Sequence, residues 1–150
     1  MAASAFVVYD NWIANVRNGC DLCSTPGLES KAKVALLTSA YAIDVVNHTN
    51  LTDVSAFNPA TGYDGDVQVD IVSAAGQPSG RGTLTVAVNP VWTANASSLT
   101  FLYAAVYVEA TGDLIAISKL DTTDTSLVVP AGADFTLDIV ANGIVTDTRV

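Results

Sequence analysis

Apolar and polar residues along this chain repeat mainly at the spacing of β-strands. Residues 33–38 and 42–46 are short apolar runs. Within 68–72, Val69 and Ile71 fall on one face and Gln68 and Asp70 on the other. Leu84, Val86 and Val88 alternate with Thr83, Thr85 and Ala87, the period-two pattern of a half-buried strand. Residues 101–108 are almost continuously apolar, which predicts a central strand buried on both faces. The turn Ala110-Thr111-Gly112-Asp113 leads into a strand over 114–118. A strand over 127–129 ends at Pro130, and Ala131-Gly132 turns the chain again. Phe135, Leu137 and Ile139 then alternate with Thr136 and Asp138. Asn142-Gly143 is the strongest hairpin signal, because both residues tolerate the positive φ of a type I′ turn, and 144–146 returns from it.

One segment reads differently. Phe6, Tyr9, Ile13 and Val16 recur at helical spacing, with Trp12 beside them, Ser4 as a cap and Gly19 as a stop. The run Phe6-Val7-Val8-Tyr9 equally favours an extended arm. About eight short strands therefore follow a helix or arm, and no helix alternates with them. The pattern predicts a mainly β fold, an antiparallel β-sandwich or jelly-roll-like domain over 31–150, preceded by a helix or arm and loop over 1–30. Residues 47–66 form a longer polar loop that suits contacts.

Composition sharpens this. The chain has 150 residues, half of them apolar and 14% charged, against about 25% charged in ordinary globular proteins. Either its surface is polar but uncharged, or neighbours cover much of it. The net charge of −9 and six scattered basic residues (Arg17, Lys31, Lys33, Arg81, Lys119, Arg149) argue against a nucleic-acid partner, which needs clustered cations. No apolar run approaches the roughly 18 residues of a spanning helix, so no membrane partner is expected. The start lacks the basic region of a signal peptide, which points to synthesis in the cytoplasm.

Candidate chemistry is sparse. Cys20 and Cys23 are the only cysteines; flanked by loop residues, they read as a structural thiol pair, with a redox motif or half a zinc site as alternatives. His48 is the only histidine and stands in a polar stretch without a nucleophile elbow near it. Asp64, Asp66 and Asp70 could present alternate carboxylates to calcium, but no Glu closes an EF-hand loop, and Asp64-Gly65 reads first as a turn. Asp121 and Asp124 read the same way. The two glutamates, Glu29 and Glu109, lie in no distinctive setting for glycoside chemistry. Gly80-Arg81-Gly82 is not a phosphate loop. Trp12, Tyr41, Tyr63 and Trp92 could stack on sugars or fill a core. The expectation is a non-enzyme with no catalytic residues, no metal and no cofactor.

Several residues in order carry a likeness to known proteins: Lys33-Val34-Ala35-Leu36-Leu37-Thr38-Ser39-Ala40-Tyr41, His48 with Asp53-Val54, Gly62-Tyr63, Trp92, then Ala104-Ala105-Val106-Tyr107, Gly112-Asp113-Leu114-Ile115-Ala116, Phe135-Thr136-Leu137 and Gly143-Ile144. In these the chain resembles the small virion structural proteins of tailed bacteriophages, the head decoration or cement proteins. The resemblance implies a capsid-surface location after assembly in the host cytoplasm, and the major capsid protein as partner. By analogy it also implies a homo-oligomer, a trimer at capsid three-fold positions. Tail or fibre proteins that contact host glycans are the alternative. Phe6, Tyr9 and Trp12 then become candidates for a docking or self-association element; equally, they could cover one end of their own domain.

Overall fold

A computed structural model describes residues 5–17, 31–73, 81–139 and 145–148. The chain is mainly β, with antiparallel sheets and a short N-terminal helix, as the pattern predicts. Strand β1 (Val7–Val8) leads into helix α1 (Asp10–Arg17). Then come β2 (Lys31–Leu37), helix α2 (Leu51–Val54) with a 3-10 turn (Ser55–Phe57), β3 (Val67–Ser73) and β4 (Arg81–Val86). The remainder is β5 (Val91–Thr93), β6 (Leu99–Phe101), β7 (Tyr103–Val108), β8 (Leu114–Lys119), β9 (Leu127–Val129), β10 (Asp134–Thr136) and β11 (Val145–Thr148).

Seven strands form one sheet in the order β1-β8-β7-β2-β3-β4-β11, and β10-β5 and β6-β9 are two-stranded ribbons. Every side chain of β7 is buried, as are the first five of β8, so the middle of the large sheet is covered on both faces. The ribbons join the same core. The Phe101 and Phe135 rings are 4.7 Å apart, and Trp92 lies 5.9 Å from Phe135.

The apolar run over 101–108 is not one strand. It breaks at Leu102, whose N–H donates to Leu37 O (2.8 Å) and whose carbonyl accepts from Leu120 N–H (2.8 Å). Before the break the chain pairs with β9, and after it with β2 and β8. A strand that passes from one sheet to another is how a sandwich turns a corner.

Two sequence expectations change. Residues 42–46 are not a strand: the Asp44 carboxylate accepts from Val46 N–H, Asn47 N–H and the Asn47 amide, and these local bonds compete with a ladder. The loop over 47–66 holds a helix. Asn50 caps α2 by accepting from Thr52 N–H (3.2 Å), while Asp53 accepts from Asn50 N–H (3.0 Å), a reciprocal capping box. Of the strands on either side of Asn142-Gly143, β10 pairs with β5 and β11 with β4. The turn residues lie outside the described residues.

Candidate functional site

Among the described residues, two polar clusters and a cleft stand out as places where chemistry could occur. The first cluster lies where β2 outruns β3. Leu36 turns its main-chain groups toward β3, but that strand begins only at Val67, opposite Val34. Side chains complete the ladder instead: Leu36 N–H donates to the Tyr63 hydroxyl (3.1 Å), and the Asn58 amide donates to Leu36 O (2.9 Å). Tyr63 in turn donates to the Asp66 carboxylate, which also accepts from the Tyr107 hydroxyl at 2.6 Å. Burial, then the bond to the Asp66 carboxylate, hold both tyrosine protons well above their usual range. The carboxylate is thus a clasp joining β7 to the segment before β3.

The second cluster ties the N-terminal segment down. The Tyr9 and Tyr41 hydroxyls are 3.1 Å apart, and Tyr41 is 2.9 Å from His48 Nδ1. Burial and the partner hydroxyl raise the Tyr9 pKa, and burial raises that of Tyr41. Around this chain of bonds, Asp10 N–H donates to Val45 O (3.0 Å) and the Asn11 amide to Thr49 O (2.9 Å). His48 is half-buried and bonded to a phenol, with no nucleophile beside it in the hydrogen-bond set.

The first segment packs onto its own domain. Tyr9 is fully buried, Trp12 is 3% exposed, and Phe6 is half-buried against the same core. The aromatics cover their own sheet and are not presented outward. The outward apolar side chains of this region are Val7, Ile13, Ile43 and Val46. No signal in the sequence separates these from the buried set, because the break from strand to helix at Tyr9 reassigns the faces.

The cleft, about 360 Å³, is lined by Val67, Gln68, Val69, Asp70 and residues 87–91. Sequence reasoning did not single it out. Its signal was Asn89-Pro90, a break that a central strand does not accommodate.

The remaining candidates are dispersed. Asp64 accepts from the Asn95 amide (2.5 Å), whereas the clasp joins Tyr63, Asp66 and Tyr107. Asp70 lies across the ladder from Lys31. Asp121 accepts from Thr123 N–H and hydroxyl, both at 2.8 Å, and Asp124 pairs with Lys119. Glu109 pairs with Lys33 at 3.3 Å. Among the described residues, no three His, Cys, Asp or Glu side chains gather closely enough to hold a metal ion, and no helix is long and apolar enough to cross a membrane. Tyr41 and Trp92 are buried, and Tyr63 is half-buried in the clasp. Cys20, Cys23 and Glu29 lie outside the described residues.

Comparison with models of known families, with characterised proteins and with solved structures finds no match.

Proposed function

We propose that this chain is a head decoration (cement) protein of a tailed bacteriophage, which stabilises the capsid by binding across neighbouring major capsid subunits and works by packing, not catalysis. One observation supports the packing half: among the described residues, the histidine and the half-buried Asp66 carboxylate are used to fasten the fold. His48 and Asp66 are bonded to the hydroxyls of Tyr41, Tyr63 and Tyr107. Asp70 is the one titratable group among the described residues lining the cleft, with no His, Cys, Lys, Tyr or second carboxylate among them to act with it. Acid–base or nucleophilic catalysis in a cleft needs such groups in concert.

The capsid half draws on the resemblance. Several of its residues lie in the central sheet: Lys33 to Leu37 in β2, Ala104 to Tyr107 in β7, Leu114 to Ala116 in β8. A sheet buried on both faces is close-packed and stiff, which suits a part that resists outward pressure from packaged DNA. Many copies on one lattice add weak contacts through multivalency. The net charge of −9 keeps such a surface from holding nucleic acid. A closed homo-oligomer, a trimer by analogy, matches capsid three-fold positions. The tail or fibre alternative asked for aromatics clustered on an exposed face, and Trp12, Tyr41 and Trp92 are buried.

The test is the copy number of this protein in purified particles, by quantitative mass spectrometry. Hundreds of copies per particle are expected. A handful would move the protein to the tail, and none would end the virion reading.

A further inference from the structure

Among the described residues, the main-chain bonding of the large sheet leaves a gap beside β3. In an antiparallel ladder, successive residues of a strand direct their N–H and C=O to opposite sides. Glu109 N–H donates to Lys31 O (3.2 Å) and Leu102 N–H to Leu37 O (2.8 Å), so odd-numbered residues of β2 bond to β7. Ala32 and Val34 therefore bond to β3, where they face Val69 and Val67. It follows that Gln68 and Asp70 turn their main-chain groups the other way, toward β4.

Asp70 finds its partner, since its carbonyl accepts from Ala87 N–H (2.9 Å). Gln68 does not. Continuing the Ile71–Val86 register would set Asn89 opposite Gln68, but the chain has left the sheet by then. Leu137 N–H donates to Pro90 O (3.1 Å), Ile139 N–H to Asn89 Oδ1 (2.8 Å), and the Asn89 amide to Asp138 (3.0 Å). These bonds hold residues 89 and 90 against the segment after β10. The sheet forks, and the main-chain donor and acceptor of Gln68 open into the cleft between the branches.

We infer that this fork is a docking slot for a short, extended, basic segment of another protein, which adds a strand beside β3. Three observations select that occupant. A free N–H and C=O on a strand are matched by extended backbone, the basis of recognition by strand addition. The walls are apolar, and Val88 and Val91 are 75% and 46% exposed, so alternate side chains of an added strand would find cover. Asp70 is the one charged residue among the lining side chains; Lys31, opposite it, makes no ion pair with it. In a chain of net charge −9, the occupant complementary to the Asp70 carboxylate carries Lys or Arg. Residues 67–70 extend roughly 10 Å at ~3.3 Å per residue, so about three or four residues fit. This goes beyond the capsid reading and stands without it.

The test uses the full chain and acetylated eight-residue peptides that alternate Val or Thr with Lys, with Asp-bearing peptides of the same pattern as controls. Binding is read by fluorescence anisotropy, and the Gln68 amide by NMR. The Lys peptides should bind with a saturable isotherm and slow exchange at Gln68, and the Asp peptides should bind at least tenfold more weakly. Gln68→Pro removes the free N–H without removing a bond to β2, and should weaken the Lys peptides at least tenfold. Asp70→Lys should reverse the preference between the two peptide sets. An unchanged melting temperature in each variant separates loss of the slot from loss of the fold. Failure of every Lys peptide to saturate, or full binding by Gln68→Pro, overturns the proposal. A concentration-dependent dimer abolished by Gln68→Pro overturns the choice of occupant in favour of a second copy.

Discussion

Removing the Tyr63 hydroxyl should cost more than removing the Tyr107 hydroxyl, although both donate to the same carboxylate. Tyr107→Phe deletes one bond, the 2.6 Å contact with Asp66. A hydrogen bond to a charged group contributes about 1.5–3 kcal/mol. Asp66 is half-buried, so water can reach the vacated oxygen and the cost should fall at the lower end. Tyr63→Phe deletes the equivalent bond and also strands Leu36 N–H, which donates to that hydroxyl at 3.1 Å. Leu36 is fully buried, and a buried N–H without a partner costs about 1–3 kcal/mol more. The expected losses are therefore about 2 kcal/mol for Tyr107→Phe and about 4 kcal/mol for Tyr63→Phe. At about 2–4 °C per kcal/mol for a chain of this size, the second variant should melt roughly 8–16 °C below the parent. Urea unfolding of both variants, alone and combined with Asp66→Asn, gives the ordering and the coupling. Neutralising Asp66 should reduce the cost of Tyr107→Phe by about 1 kcal/mol, as for groups in direct contact. Equal costs for the two tyrosines, or costs that add without coupling to Asp66, would refute the clasp.

Gly62→Ala should destabilise the chain by about 2–5 kcal/mol, because Gly62 has φ +71° and an added Cβ would lie 2.5 Å from Ser97 O and 2.7 Å from Leu99 N; a melting curve within 1 °C of the parent would contradict this. Alkaline titration followed at 295 nm should show Tyr9, Tyr41, Tyr63 and Tyr107 un-ionised at the pH where exposed tyrosines titrate, since all four are raised. Their folded pKa values exceed the unfolded value near 10, so the stability they contribute is complete below about pH 10 and is lost as pH rises beyond it; four ordinary midpoints in the folded chain would disprove the burial argument. His48→Ala removes one bond from the Tyr9–Tyr41 pair and should cost about 0.5–1.5 kcal/mol while particle binding persists; complete loss of function in a folded variant would reopen catalysis. Trp12→Ala, at a position 3% exposed, should cost about 3–5 kcal/mol in calorimetry, whereas an outward docking residue would leave stability unchanged and affect only assembly.

What the sequence made legible follows from range. Alternation is local, so β3, β4 and β8 fall within a few residues of their predicted spans. The doubly buried character of 101–108 is also local and holds for β7. The break at Leu102 was not legible, because Leu102 is as apolar as its neighbours and only its bonds to Leu37 and Leu120 show where the strand changes sheets. β5 was missed because three residues carry too short a pattern, and it exists through pairing with β10, some 43 positions later. The capping box at Asn50 and Asp53 was present in the sequence; the polar character of 47–66 obscured it. Of the candidate site residues, His48 was noticed as the single histidine and Asp66 as one of the acidic run Asp64, Asp66 and Asp70. That each would be bonded to tyrosines from elsewhere in the chain depends on tertiary packing.

The clasp and the Tyr9–Tyr41–His48 chain also answer a difficulty in this sequence. A strand with polar residues on one face resists slipping, because a shift of one residue would turn that face into the core. β7 and β8 lack this safeguard, for both of their faces are apolar and buried. Sliding β7 by one position against β2 would exchange Ala104, Ala105 and Val106 among similar surroundings at modest cost. It would also carry Tyr107 to the opposite face and strand its hydroxyl from Asp66. Buried polar groups that are satisfied in one arrangement only penalise every other. Tyr63 does the same for the end of β2 by completing the ladder at Leu36. The polar atoms in this core thus select one register among apolar alternatives, with the tyrosines and the Asp66 carboxylate fixing it.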